Sequence, residues 1–438
     1  MHRRQFLRTC ALTGTSLALS SPQRTACAAE AAAPDLVQSI EQVIIRRREQ
    51  DPHSWFSARG CMVPGPAGAK DLSQNSPSRV ARPGRTELPT GYGTGSKALI
   101  TLQTIHGSDF FGPVQWIESA DLGKTWSEPQ PIPALGRRRI SDEIEEGVCD
   151  VVPEYHAPTR SVLAMGHNVF YKPKGFYKPQ PPRWPVYAVR DPQGRWSEAR
   201  RLKWDDSRTT AMYSCGCAQR ITLDNGQLLI PLTFGPLERA DRGVTSVRAT
   251  FDGSEVRIQE VGNELRLPVQ RGLLEPSLAR LDGRYYMTIR AEDERGYATT
   301  SQDGLHWEPI TPWCWDDGEP LVMSTTQQRW LPHSDGLYLV YTRKAEQNAK
   351  VMRWRAPLYM ALVDRTRLRL IRASERIAMP MQGDPNQPKT VPHLGNFHTM
   401  PVNAQQSWVT VGAFDLATWH GNLQMARITW SQPNRLAP

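Results

Sequence analysis

Between Ser119 and Trp126 the chain reads Ser-Ala-Asp-Leu-Gly-Lys-Thr-Trp. Each residue type in this stretch has a structural use. Asp121 can accept the amides of its own tight turn and so stiffen a hairpin. Gly123 supplies a backbone angle that bulkier residues resist. Trp126 can lie back across the hairpin and bury a large apolar face. A shortened copy runs from Ser301 to Trp307, and fragments recur at Arg190 and Thr250. Turns of this kind fall at Asp121, Asp191, Asp252, Asp303 and Asp364, with Asp415 as a sixth candidate, so the chain repeats about every 50 to 70 residues.

Alternating or apolar runs such as KALITLQTI, GQLLIPLTF, RYYMTIRA and APLYMALV lie between the turns, and they read as strands. The Asp224 and Asp282 turns read as tight hairpins. A helix is expected only over residues 34–49, where Leu36, Ile40, Val43 and Ile44 fall at helical spacing. The Gly-, Pro- and Ser-rich stretch 64–95 reads as a long surface insertion. The Pro-rich stretch Lys172 to Pro185 reads as a loop over one face.

The N-terminus carries Arg3 and Arg4, then Gln5, Phe6 and Leu7, then a short apolar run to Leu19. This is the pattern of a twin-arginine export signal. A small-residue cleavage site fits Ala26-Cys27-Ala28, so residues 1–28 are expected to be removed and the product to be periplasmic or secreted. Arg24 stands where a lipobox needs an apolar residue, so no membrane anchor is expected. The formal charge is +9, and loss of the four leader arginines leaves about +5, which suits an acidic ligand. No basic stripe interleaved with aromatics points to nucleic acid. Of the seven cysteines, five follow the leader, too few in so long a chain for a disulfide scaffold. The Cys215-Gly216-Cys217 spacing lacks the further ligands of a zinc site. Buried free thiols, no metal and no cofactor are expected.

The repeated turns match the Asp-box, and the chain resembles the sialidase (neuraminidase) type of β-propeller. That resemblance implies an all-β fold, with residues 29–438 forming one six-bladed propeller of four-stranded blades. Asp-boxes belong to the outer rim and carry no chemistry. The order Glu275, hairpin, Arg290, shortened box resembles the family's unit in which a Glu polarises the nucleophile and an Arg holds the substrate carboxylate. The loop before Ser119 resembles the family's first blade and makes Asp109 the counterpart of the general acid/base, with His106 as a rival. Asp suits that task where an apolar setting lifts its pKa. Arg355, next to Arg353, matches the third carboxylate-binding Arg, and Arg59 is the nearest candidate for the first. Guanidinium groups suit the role because they grip carboxylate oxygens in pairs.

At the place of the family's nucleophilic Tyr stands Phe397, with His398 beside it. Phenylalanine cannot attack, so another tyrosine (Tyr297, Tyr341 or Tyr359) or a different chemistry is required. His398 joins Asp109 and Glu275 as a catalytic candidate, and His106 and Tyr341 join the three arginines as substrate-binding candidates. His156, His167 and His333 are further histidines that gain meaning only if several reach one pocket. The leading expectation is an exported exo-glycosidase acting at an acidic sugar, sialic or uronic. A polysaccharide lyase using His and Tyr, or a glycan-binding propeller, are the alternatives. In each case the partner is an acidic carbohydrate.

Overall fold

The computed structural model describes residues 35–47, 54–65 and 95–437. The leader and its cleavage site lie outside them, as does the expected insertion save for Pro64, Gly65 and Gly95. The described chain forms six antiparallel sheets, and among the described residues the helical pieces are three-residue 3-10 turns. Blade 1 is Trp55–Val63, Lys97–Thr104, Gln115–Ser119 and Gln130–Pro131. Blade 2 is Glu145–His156, Ser161–Lys172, Pro185–Arg190 and Arg200–Arg201. Blade 3 is Met212–Ser214, Leu228–Gly235, Gly243–Phe251 and Val256–Val261. Blade 4 is Leu274–Leu281, Arg284–Arg290, Gly296–Ser301 and Thr311–Pro312. Blade 5 is Arg329–His333, Gly336–Tyr341, Leu358–Asp364 and Arg369–Leu370. Blades 2, 3 and 5 carry short extra strands at their edges.

Blade 6 takes Phe397–Asn403, Gln406–Gly412 and Leu423–Trp430 from the end of the chain and its outer strand, Val37–Arg46, from the beginning. The expected helix is therefore a strand. Val37 pairs with Trp430 and Ile40 with Ile428, with a bulge between Val37 and Ser39. The bulge puts two apolar residues three apart on one face, which mimics helical spacing. Tertiary pairing overrides a local pattern that fits both states. This arrangement also removes Asp415 from the outer turns. Blade 6 has no hairpin between its third and fourth strands, and Asp415 lies between its second and third. The other five boxes close outer hairpins as expected.

The box chemistry is visible atom by atom. Asp121 Oδ1 accepts the amides of Lys124 and Thr125 at 3.1 and 2.9 Å, and Gly123 sits at φ +76°. Asp303 accepts the amides of Leu305 and His306. Asp191, Asp252 and Asp364 make equivalent bonds. The box tryptophans reach back to the preceding blade: Trp126 to Trp408, Trp196 to Trp116, and Trp307 to Ser246. The apolar core is accordingly a ring of layers between neighbouring blades.

In each antiparallel blade, the first-to-second and third-to-fourth turns share one end. The second-to-third loops and the connections between blades share the other. The boxes therefore mark the end away from the site. Trp307 is 5% exposed, and its Nε1 donates to Ser246 Oγ at 2.8 Å. Trp307→Ala is expected to lower unfolding stability by about 3–5 kcal/mol, read as the urea midpoint and slope. A loss below about 1 kcal/mol would show that the staple does not hold blades 3 and 4 together.

Candidate functional site

At the end opposite the boxes a cavity of about 590 Å³ opens over the axis. Its walls are second-to-third loops and blade-to-blade connections. Asp109 enters from the blade 1 loop at φ +54°, a conformation that Asp tolerates better than most residues. Its side chain is exposed and makes no hydrogen bond among the described residues, so it does not cap its turn. Glu275 enters from the inner strand of blade 4 at φ +49°. A bulge between Leu274 and Ser277 turns it out of the ladder, and its amide donates to Thr233 Oγ1 of blade 3 at 3.0 Å. Arg290 ends the adjacent strand and donates to Glu275 Oε1 at 2.6 Å. The residues expected to polarise a nucleophile and to hold a substrate carboxylate are thus partners of each other. In the closed ring of six, blades 1 and 4 stand opposite, so Asp109 and Glu275 face across the cavity.

The blade 5 loop supplies Arg353 and Arg355. Buried Asn348 pins that loop: its Nδ2 donates to the Arg343 and Ala356 carbonyls, both at 2.9 Å. Neither arginine has an ion-pair partner among the described residues, and Arg355 Nε has no hydrogen-bond acceptor. Burial, then the charges of Arg353 and Arg290, bring Arg355 down to about 10. Burial and neighbouring arginines lower Arg353 too. His393, 1% exposed, lies on the same side with both ring nitrogens unbonded. Burial and these two arginines press it down to about 4. Cations crowded without counter-charge favour an anionic ligand.

The floor is made by Asp150, Cys149, His167 and Cys217. Arg59 lies beneath it, fully buried, and donates to Asp150 Oδ1 at 2.8 Å and Cys217 Sγ at 3.0 Å. Burial opposes the Asp150 charge, but Arg59 and His167 hold its carboxyl below the usual range. Burial, then Arg183, pushes His167 down to about 4. A Cβ on Gly216 would come within 2.1 Å of His167 Nδ1, so the glycine between two cysteines makes room for an imidazole. Cys149, Asp150 and His167 place ligand atoms within 4.8 Å of one another. Arg59 and Arg183 flank them and would oppose a metal cation there. All five cysteines after the leader are free.

The structure brings Asp109, Glu275, Arg290 and Arg355 to one cavity and leaves four other candidates outside its lining. Tyr341 is fully buried in the layer between blades 4 and 5, and its hydroxyl donates to Glu375 at 2.6 Å. Burial and that carboxylate push it well above an ordinary tyrosine. His398 is buried with Nε2 against the Gly60 carbonyl at 3.0 Å, and burial beside Arg329 and Arg59 holds it neutral. Exposed His106 bonds Thr104 Oγ1. Arg59 supports the floor without reaching the cavity. The alternative tyrosines are engaged elsewhere, Tyr297 with Asp293 and Tyr359 with Gln347. No tyrosine lines the cavity among the described residues. His156 and His333 bond backbone carbonyls away from it. Asp150, Arg183, Arg271 and His393 are site residues that no local motif marks: Asp150 stands at a bulge in the first strand of blade 2, and loops from different blades bring in the other three.

His167 and His393 titrate below 6.5 in the folded chain, so the unfolded chain binds more protons between about pH 6.5 and 4. Their contribution to stability is therefore lost as pH falls through that window. Nitrogen-detected NMR is expected to show both rings neutral until near pH 4. Titration near 6.5 would contradict the burial described here.

No protein-family model matches the sequence, and no curated protein is similar to it at the sequence level. The likeness is in the fold. Trypanosoma rangeli sialidase in complex with sialic acid superposes with a TM-score of 0.56 at 13% identity, over 90% of this chain and 59% of that one. Hadza microbial sialidase Hz136 does so with a TM-score of 0.55 at 13% identity, over 89% and 68%. A protein of unknown function from Dyadobacter fermentans matches over 90% of this chain and 99% of its own, with a TM-score of 0.52 at 10% identity. The chain spans about 59% of the length of the trypanosomal enzyme. Its fold is the six-bladed propeller of the sialidases.

Proposed function

We propose that the cavity binds an acidic sugar and cleaves its glycosidic bond with two carboxylates and no tyrosine. The observation that carries this reading is the opposition of Asp109 and Glu275 across a cavity whose Arg353 and Arg355 lack counter-charges. The substrate carboxylate binds Arg353 and Arg355, which relieves their mutual repulsion. Asp109, unbonded at the mouth, is covered by the bound sugar, and in that drier setting it donates a proton to the leaving oxygen. Glu275, oriented by Arg290, takes a proton from the water that attacks the anomeric carbon. Two carboxyl groups on opposite walls leave room for that water, as inverting glycosidases require. Glu275→Gln and Asp109→Asn are each expected to cut turnover of an acidic aryl glycoside by about 10²- to 10⁴-fold, with binding retained. Full activity in either variant would refute the assignment.

His393 favours a second reading. A neutral imidazole with both nitrogens unbonded, beside two arginines that can neutralise a uronate carboxylate, is the arrangement for removing the proton next to that carboxylate. A lyase of this kind releases an unsaturated uronate that absorbs in the ultraviolet. The hydrolase releases a reducing sugar without new absorbance, so one product assay separates the two.

A further inference from the structure

The cavity holds more positive charge than one carboxylate needs. Seven basic side chains line it against three acidic ones. Asp150 is taken by Arg59 and Glu275 by Arg290. Arg271 is gripped by Glu292, whose two oxygens each accept from its Nε at 2.9 Å. Burial pushes Glu292 up, yet Arg271 and Arg290 leave it below the usual carboxylate range. That leaves Arg353 and Arg355 on blade 5, Arg183 and Lys178 on blade 2, and Arg242 on blade 3, against Asp109 alone.

These cations form two poles. Blade 2 stands opposite blade 5 in the ring, so Arg183 faces Arg353 and Arg355 across the cavity, on an axis that crosses the one joining Asp109 and Glu275. Arg183 is fixed in place. Its amide donates to the Ala211 carbonyl at 3.2 Å, and its carbonyl accepts from the Tyr213 amide at 3.0 Å. Its guanidinium meets only the Met212 sulfur, at 3.5 Å. The guanidinium of Arg242, next along that wall, donates among the described residues only to the Pro236 and Arg239 carbonyls. Neither has a carboxylate within ion-pair reach among the described residues. Two half-buried guanidinium groups placed on this wall without an anion are costly unless a ligand supplies one.

We propose that the cavity takes a doubly anionic glycan. One carboxylate sits at Arg353 and Arg355, and a second anionic group, a sulfate ester on the same sugar or its neighbour, sits at Arg183 and Arg242. Planar guanidinium groups suit both anions. The inference rests on the acidic-sugar reading above and adds a second subsite to it.

Calorimetric titration of two matched pairs tests it: a glucuronate glycoside and an N-acetylneuraminate glycoside, each with and without one sulfate ester, the esters as a set of positional isomers. In at least one pair a sulfated isomer is expected to bind about tenfold tighter than its unsulfated partner. Arg183→Gln is expected to bring the two within about twofold, chiefly by weakening the sulfated glycoside. Arg183→Lys, which keeps the charge, retains a preference. Lys174→Gln removes an exposed charge from the same loop outside the cavity and is expected to leave the preference intact, which separates a built subsite from general attraction. Equal affinity for every isomer, with unsulfated binding still dependent on Arg355, would overturn the second subsite and leave the acidic-sugar reading standing. Equal weakening of both members by Arg183→Gln would also overturn it. Failure of every glycoside in the set to bind would overturn both.

Discussion

The pairing of Val37–Arg46 with Leu423–Trp430 closes the ring, and the geometry of the site follows from that closure. An open row of six blades would leave the first and last sheets each with a bare apolar face and would set no blade opposite another. Once closed, blades 1 and 4 hold Asp109 and Glu275 across the axis, and blades 2 and 5 hold Arg183 and the Arg353–Arg355 pair. The strand carries its own means of fitting: two bulges let Val37 and Ile40 face the layer shared with blade 5, and Val43 and Ile45 the layer shared with blade 1. The box tryptophans continue the same logic around the rim, each tying its hairpin to the blade before it.

The chemistry is a matter of unequal charge. Fully buried Arg59 and Arg329 lie beneath the floor, and burial together with Arg59 lowers Arg329 to about 9. Above them Arg355 falls to about 10 for the same physical reason. Two carboxylates in the cavity are consumed by ion pairs, with Arg59 and with Arg290, and Asp109 alone remains unbonded. Such a site repels cations, attracts anions, and keeps its two histidines neutral. On the proposed reading it is arranged for an acidic ligand before any ligand enters, which lowers the cost of organising it at the moment of binding.

The sequence made the outer rim legible because an Asp-box is local. Asp121, Asp191, Asp252, Asp303 and Asp364 each bond amides within five residues of themselves, so their meaning is written in short strings. Asp109, Glu275, Arg290 and Arg355 were legible through the order of the motifs around them. Residues 34–49 were not, since a bulged strand whose partner lies nearly four hundred residues away copies the spacing of a helix. Tyr341 and His398 show the limit for single side chains. Each stands on a strand, and only packing sends the tyrosine to Glu375 and the histidine to the Gly60 carbonyl. Arg183 and His393 carry no local sign at all, because loops that meet across the ring bring them to the cavity.

The central claim is that two carboxylates act on an acidic sugar in a cavity without a tyrosine. The anomeric configuration of the first product, followed by proton NMR from the start of the reaction, tests it most directly. A water activated by Glu275 attacks from the face opposite the leaving group, so inversion is predicted. Retention of configuration would require a covalent intermediate on a nucleophile that this cavity does not present, and would contradict the account.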